Sequence, residues 1–273
     1  MNFSSDRNAR VIVVASGKGG VGKTAISVNL AVALARLGRR TMLVDHDLGT
    51  ANANILLGID AETGVADILT RDCGADEVLR MGPGGIAFLP GHSGTAYGTS
   101  LSAADRRHMA GSLRPFAGKY DDIVVDTGSG IAAGTLTTVA ASDLVLLVLG
   151  DEPTAFMDAY AMAKSLSLRH GCTDLAVVCN MVADDASGRA LFDRFRDVAG
   201  RFLPVRLSLL GSIPDDHHVR ASVYAKKCCV EAYPHSRASA AFARLARSLS
   251  GRALAPMPGG DRFFGMEVAC GAH

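Results

Sequence analysis

The residues with the clearest chemical potential form one run, Gly17-Lys18-Gly19-Gly20-Val21-Gly22-Lys23-Thr24. The spacing G-x-x-x-x-G-K-T, placed between an apolar stretch and an amphipathic one, is a phosphate-binding loop. Glycines let the main chain wrap an anion, so that N–H groups point inward at its oxygens. A helix starting at Thr24 would add its positive N-terminal end. In such a loop Lys23 reaches the β- and γ-phosphates of a nucleotide, and the Thr24 hydroxyl ligates Mg²⁺. Two carboxylate sites complete what phosphoryl transfer needs. Ile123-Val124-Val125-Asp126 is an apolar strand ending in an acid, placing Asp126 near the Mg²⁺ shell. Asp45-His46-Asp47 follows a second strand, whose end parallel topology brings to the same sheet edge. One of these aspartates would help hold Mg²⁺ through water and the other would orient the attacking water; Asp45 could instead cap a turn. His46, between them, is expected to face away.

Those residues need a scaffold, and the chain alternates strand and helix patterns. Strands are expected at Val11–Ala15, Thr41–Val44, Ile86–Leu89, Ile123–Val125, Leu144–Leu149, Leu175–Cys179 and Leu207–Leu210. They are continuous apolar runs, as in a parallel sheet buried on both faces. Helices are expected at Ala25–Leu37, Ala103–Phe116, Thr154–Leu168, Arg189–Val198 and Arg237–Leu249. The fold class is therefore α/β: a doubly wound, mostly parallel sheet covered by helices on both faces, of the P-loop NTPase kind. Residues 1–250 read as one ATPase domain, and 251–273 as a loop followed by a short apolar tail carrying Phe263, Phe264, Met266 and Val268. That tail would either give a weak membrane anchor or pack back over the sheet or a partner's tail.

Composition narrows the classes. The 273 residues are 48% apolar and 5% aromatic, with no Trp and a net charge of +1. No global field favours nucleic acid, and Arg220, Lys226, Lys227, Arg237, Arg244 and Arg247 read as solvated helix faces, so no direct nucleic-acid contact is expected. Met1–Arg10 is polar and no run approaches a membrane span, so a cytoplasmic location is expected. None of the six cysteines forms a C-x-x-C pair, which argues against a cluster carrier. Cys179 reads as a small buried hydrophobe. The neighbouring His217-His218 and Cys228-Cys229 match no common metal-ligand spacing.

The second lysine of the loop, Lys18, gives a resemblance to the deviant Walker A of the MinD/ParA ATPases. Within that superfamily the chain is most similar to the flagellar-number ATPases, the FlhG (FleN) group. The segments that carry this likeness include Asp47-Leu48-Gly49-Thr50-Ala51-Asn52, Leu56-Leu57-Gly58, Asp126-Thr127-Gly128-Ser129-Gly130-Ile131, and Asp151-Glu152-Pro153-Thr154 followed by Asp158-Ala159-Tyr160. Cys179-Asn180-Met181 and Ile213-Pro214 follow in the same order, so the likeness spans roughly residues 10 to 250. It implies that Lys18 acts across an ATP-sandwich homodimer, that Asp47 positions the water, and that Asp45 lies on the metal side. It further implies that Asn180 reads the adenine edge and that the loop at Pro214 closes over the base. The cofactors implied are ATP and Mg²⁺. The partners implied are an FlhF-like GTPase, a FleQ-type transcription activator and flagellar basal-body switch components, with weak inner-membrane contact in the ATP-bound dimer. Division-site ATPases of the MinD type share every nucleotide residue, and a division-site or DNA-partition role is the rival reading. The chain departs from the family pattern at His46 and at Gly128-Ser129, where small residues and Ala-Ala are common.

Overall fold

The computed structural model describes residues 9–47, 51–70, 73–91, 103–251 and residue 263. Its eight strands are β1 (Arg10–Ala15), β2 (Thr41–His46), β3 (Arg80–Met81), β4 (Ala87–Leu89), β5 (Asp122–Thr127), β6 (Leu144–Gly150), β7 (Asp174–Val182) and β8 (Arg206–Pro214). They form one sheet in the order β3-β4-β2-β5-β1-β6-β7-β8. Every pairing is parallel except β3 with β4.

The apolar strand runs have a simple cause. Successive residues of a strand point to opposite faces, and here both faces are buried. Val11, Val13 and Ala15 of β1 enter one core, while Ile12 and Val14 enter the other. Strand β6 divides in the same way, Val145, Leu147 and Leu149 against Leu144, Leu146 and Val148.

Helices α1 (Lys23–Arg36), α2 (Ala53–Leu57), α3 (Val65–Thr70), α4 (Ala75–Val78), α5 (Ala103–Leu113), α6 (Ala133–Ala140), α7 (Pro153–His170), α8 (Asp185–Phe202), α9 (His217–Tyr224), α10 (Cys229–Ala232) and α11 (Arg237–Ser250) cover the sheet. Ile26 and Leu30 of α1 and Phe242 and Leu245 of α11 fill one core; Met162 of α7 and Phe195 of α8 fill the other. Local signals set the helix ends. Pro153 opens α7 at a position where a missing N–H costs nothing, and Gly171, at φ 68°, closes it. Asp184, Asp216 and Ser236 cap α8, α9 and α11 through their side chains.

All seven expected strands are present, and β3 is an addition at the sheet edge. The expected helix 103–116 ends at Leu113, and Pro115 sits in a following 3₁₀ turn. Helix α8 extends past both expected ends, and Asp184 caps its earlier start. Cys179, Cys228 and Cys229 are buried, and burial pushes the Cys179 thiol up to about 12. No helix among the described residues is long and apolar enough to cross a membrane. Phe263 is buried in the same core as Met162 and Phe195, whereas Phe264, Met266 and Val268 lie outside the described residues.

Candidate nucleotide site

Strands β2, β5 and β1 are neighbours, so their C-terminal ends open onto one edge of the sheet. The register sets Val14 and Asp45 on either side of Asp126. The glycine-rich loop leaves β1 there and runs into α1. Gly20 and Gly22 adopt φ of 80° and 87°, which an L side chain rarely accepts. Gly17 is required for a different reason: a Cβ on it would stand 2.0 Å from the main-chain oxygen of Asp158 in α7.

Lys23 is buried, with Nζ 3.6 Å from Asp126 Oδ1. Ser27, one turn further along α1, donates to the same oxygen at 2.9 Å. The other oxygen, Oδ2, is buried and meets no hydrogen-bond donor among the described residues. Burial raises the Asp126 pKa, opposed by the Lys23 charge and the Thr24 and Ser27 hydroxyls. An unpaired buried carboxylate oxygen beside a threonine hydroxyl is a hard-oxygen donor set, and it suits Mg²⁺.

Asp45 is fully buried, and both its oxygens are engaged by main-chain donors: Oδ1 by Asp47 N and Oδ2 by Ala53 N, each at 3.1 Å. It thus does the capping work open to an aspartate in a turn, holding the chain that follows β2. Burial, with the Asp126 charge beside it, pushes its carboxyl up to about 7. Asp47 is half-buried, and its Oδ1 lies 3.7 Å from where a Cβ on Gly128 would stand.

Lys18 does not point into the loop. Its Nζ donates to Thr154 Oγ1 at 2.8 Å and to Glu152 Oε2 at 3.1 Å, at the N-terminus of α7. Asn180, at the end of β7, donates through Nδ2 to Val21 O at 2.7 Å. Its other amide atom is an acceptor, the half of the pair that an exocyclic amino group can use. Asn180 and Pro214 line one cleft with Gly22, Met181, Arg220 and Phe242.

The family model described as the CobQ/CobB/MinD/ParA nucleotide binding domain matches residues 12–227. The chain belongs to that family. Among MinD/ParA-family relatives, the antiactivator FleN of Pseudomonas aeruginosa is 42% identical over 94% of this chain and 92% of its own length. The flagellum site-determining protein YlxH of Helicobacter pylori is 31% identical over 89% of this chain and 83% of its own. The septum site-determining protein MinD of Pyrococcus horikoshii, solved in complex with Mg-ADP, superposes with a TM-score of 0.70 at 26% identity, covering 89% of this chain and 96% of that one. The fold of this MinD/ParA-family chain is accordingly the P-loop NTPase fold of MinD.

Several site residues were not legible as such. Ser27 looks like any helix serine until the sheet brings Asp126 beside it, 99 residues on. Arg220 and Phe242 of the cleft come from helices without a motif. His217 and His218 stack beside Asp216, the three ligand atoms lying within 4.8 Å. Asp216 is occupied there as a cap, accepting from His218 N and Ala238 N.

Proposed function

We propose that this chain is an ATP-dependent dimerisation switch that regulates flagellar number or placement and hydrolyses ATP slowly. The observation that carries the reading is near-full-length similarity to FleN, 42% over 94% of the chain, joined to an assembled phosphate loop with a second, solvent-facing lysine.

In this reading Gly17–Gly22 and Lys23 bind the phosphates, and Thr24 and Asp126 hold Mg²⁺. Mg²⁺ held there would offset the charge of the phosphates. Asp45 supports that edge from behind by clamping the turn to Ala53, and so sets where Asp47 stands. Asp47 orients the attacking water. Asn180 accepts from the adenine amino group while holding Val21, and the Pro214 loop covers the base. Lys18 leaves Glu152 and Thr154 to reach the phosphates bound by a second copy, whose clustered charge it neutralises. P-loop NTPases without a stimulating partner turn over on the order of 10⁻⁴ to 10⁻² per second, a rate suited to a timer. Partners of the FlhF-like GTPase, FleQ-type activator and basal-body switch kinds would read the ATP state.

The test is the number of flagella per cell, counted by electron microscopy, in a strain lacking the gene and in one carrying Asp47→Ala. Supernumerary or misplaced flagella in the deletion support the proposal. An unchanged count with minicells or plasmid loss overturns the flagellar role in favour of division or partition. Purified Asp47→Ala should bind ATP normally and lose hydrolysis at least about a hundredfold; full turnover would remove Asp47 from its role.

A further inference from the structure

Strands β1 and β5 are adjacent and parallel, so the segments leaving their C-terminal ends run side by side. Two hydrogen bonds fasten them together. Thr127 Oγ1 donates to Val14 O, and Gly130 N donates to Ser16 O, each at 3.0 Å. Gly130, at φ 89°, then turns the chain away.

Between these anchors Ser129 is exposed, and its hydroxyl faces the phosphate loop. Its Oγ lies 3.6 Å from the point a Cβ on Gly19 would occupy, and apart from Lys18, Gly19 and Gly20 no other described residue comes within 4 Å of that point. Its neighbour Gly128 sits against the Asp47 carboxylate. The short segment therefore places a neutral hydroxyl over the glycine loop, next to the acid that faces the same opening.

A loop whose N–H groups cradle the inner phosphates leaves outer oxygens of the terminal phosphate directed at whatever stands opposite. A serine hydroxyl there can donate to such an oxygen and rotate to suit it. We infer that Ser129 is a γ-phosphate ligand: its hydroxyl donates to a terminal phosphate oxygen, so that the site holds ATP more tightly than ADP. This rests on the ATP-switch reading above and adds the residue that senses the nucleotide state. The geometry also explains why the hydroxyl would report that state. Ser129 is tied through Gly130 to Ser16, and it leads directly into Ile131, a large apolar side chain left exposed.

The experiment uses the full chain and its Ser129→Ala and Ser129→Thr variants, titrated with Mg²⁺ and fluorescent ADP or a fluorescent, slowly hydrolysed ATPγS. Ser129→Ala should bind ADP as the parent does and the ATP analogue about tenfold more weakly, the size of one hydrogen bond to a charged acceptor. Ser129→Thr should restore the difference, and the nucleotide-free melting temperatures should agree. Unchanged affinity for both nucleotides in Ser129→Ala overturns the proposal, as does equal weakening of both. A parent protein that binds neither nucleotide overturns this inference and the ATP reading together, whereas a parent that discriminates and a variant that does so equally leave that reading intact.

Discussion

The Lys18 ammonium lies 3.1 Å from the Glu152 carboxylate, linking the phosphate loop to the start of α7 across 134 residues of sequence. Thr154 adds a second acceptor at 2.8 Å. The lysine proposed to act on a second copy is therefore held by its own chain. The pair is solvent-exposed, so its strength is modest, at most about 1 kcal/mol. Glu152→Gln should favour the ATP-bound dimer by up to about fivefold for each of the two lysines, about thirtyfold in the protein concentration at half-dimerisation read by light scattering. Lys18→Ala should bind ATP as a monomer and fail to dimerise. A weaker dimer in Glu152→Gln would instead make Glu152 part of the dimer contact.

Gly17 and Gly111 should respond in opposite directions to alanine. A Cβ at Gly17 collides with the Asp158 main chain, which a helix cannot easily move. Gly17→Ala should lose about 2 kcal/mol or more and weaken nucleotide binding, because α7 or the loop has to shift. Gly111 lies in α5 with nothing within 4 Å of its Cβ position. Gly111→Ala should gain about 0.5–1 kcal/mol. Urea denaturation of both variants checks the pair.

Asn180 is expected to matter to the phosphate loop as well as to the base. Removing its amide in Asn180→Ala leaves the Val21 carbonyl without that donor, a loss of about 1–3 kcal/mol. Asn180→Asp should be worse, since it sets a carboxylate oxygen against a carbonyl oxygen. Both should weaken ADP and ATP alike, in contrast to Ser129→Ala. Full ADP affinity in Asn180→Asp by fluorescence titration would remove Asn180 from the site.

Acid should loosen the far wall of the cleft through Asp216. Burial alone would raise its carboxyl, yet the N–H groups of His218 and Ala238 and the His218 ring outweigh it and hold the pKa at about 2. An unfolded aspartate titrates near 4. The folded state thus keeps the charge that the unfolded state gives up, and the stability this contributes is lost as pH falls from about 4 to about 2. Asp216→Ala should cost about 1–2 kcal/mol at neutral pH as a lost helix cap. Its acid unfolding curve should be flatter than the parent's below pH 4; a parallel curve would contradict the assignment.

The order of strands and helices could be read from the chain because each signal was local. Continuous apolar runs such as Leu144–Leu149 have one explanation, burial on both faces, and the glycine loop carries its own spacing. The features missed were those with weak local signals. Helix α6 has eight residues with only Leu136 and Val139 as large apolar side chains, and β3 has only two residues. Their structure depends on what they pack against.

The same division runs through the site. Lys23, Thr24, Asp126 and the loop glycines could be singled out from sequence alone, since a phosphate loop needs those residue types at that spacing, and its strand and helix adjoin it in the chain. Three other relationships were decided by tertiary structure: both oxygens of Asp45 taken up by the turn it leads into, Lys18 held by Glu152, and Asn180 bonded to Val21 from 159 residues away. The physical reason is that a side chain's partners depend on which strands lie next to each other and in what register. The β2-β5-β1 order sets that for the acids, and the close approach of α7 to Gly17 sets it for Lys18.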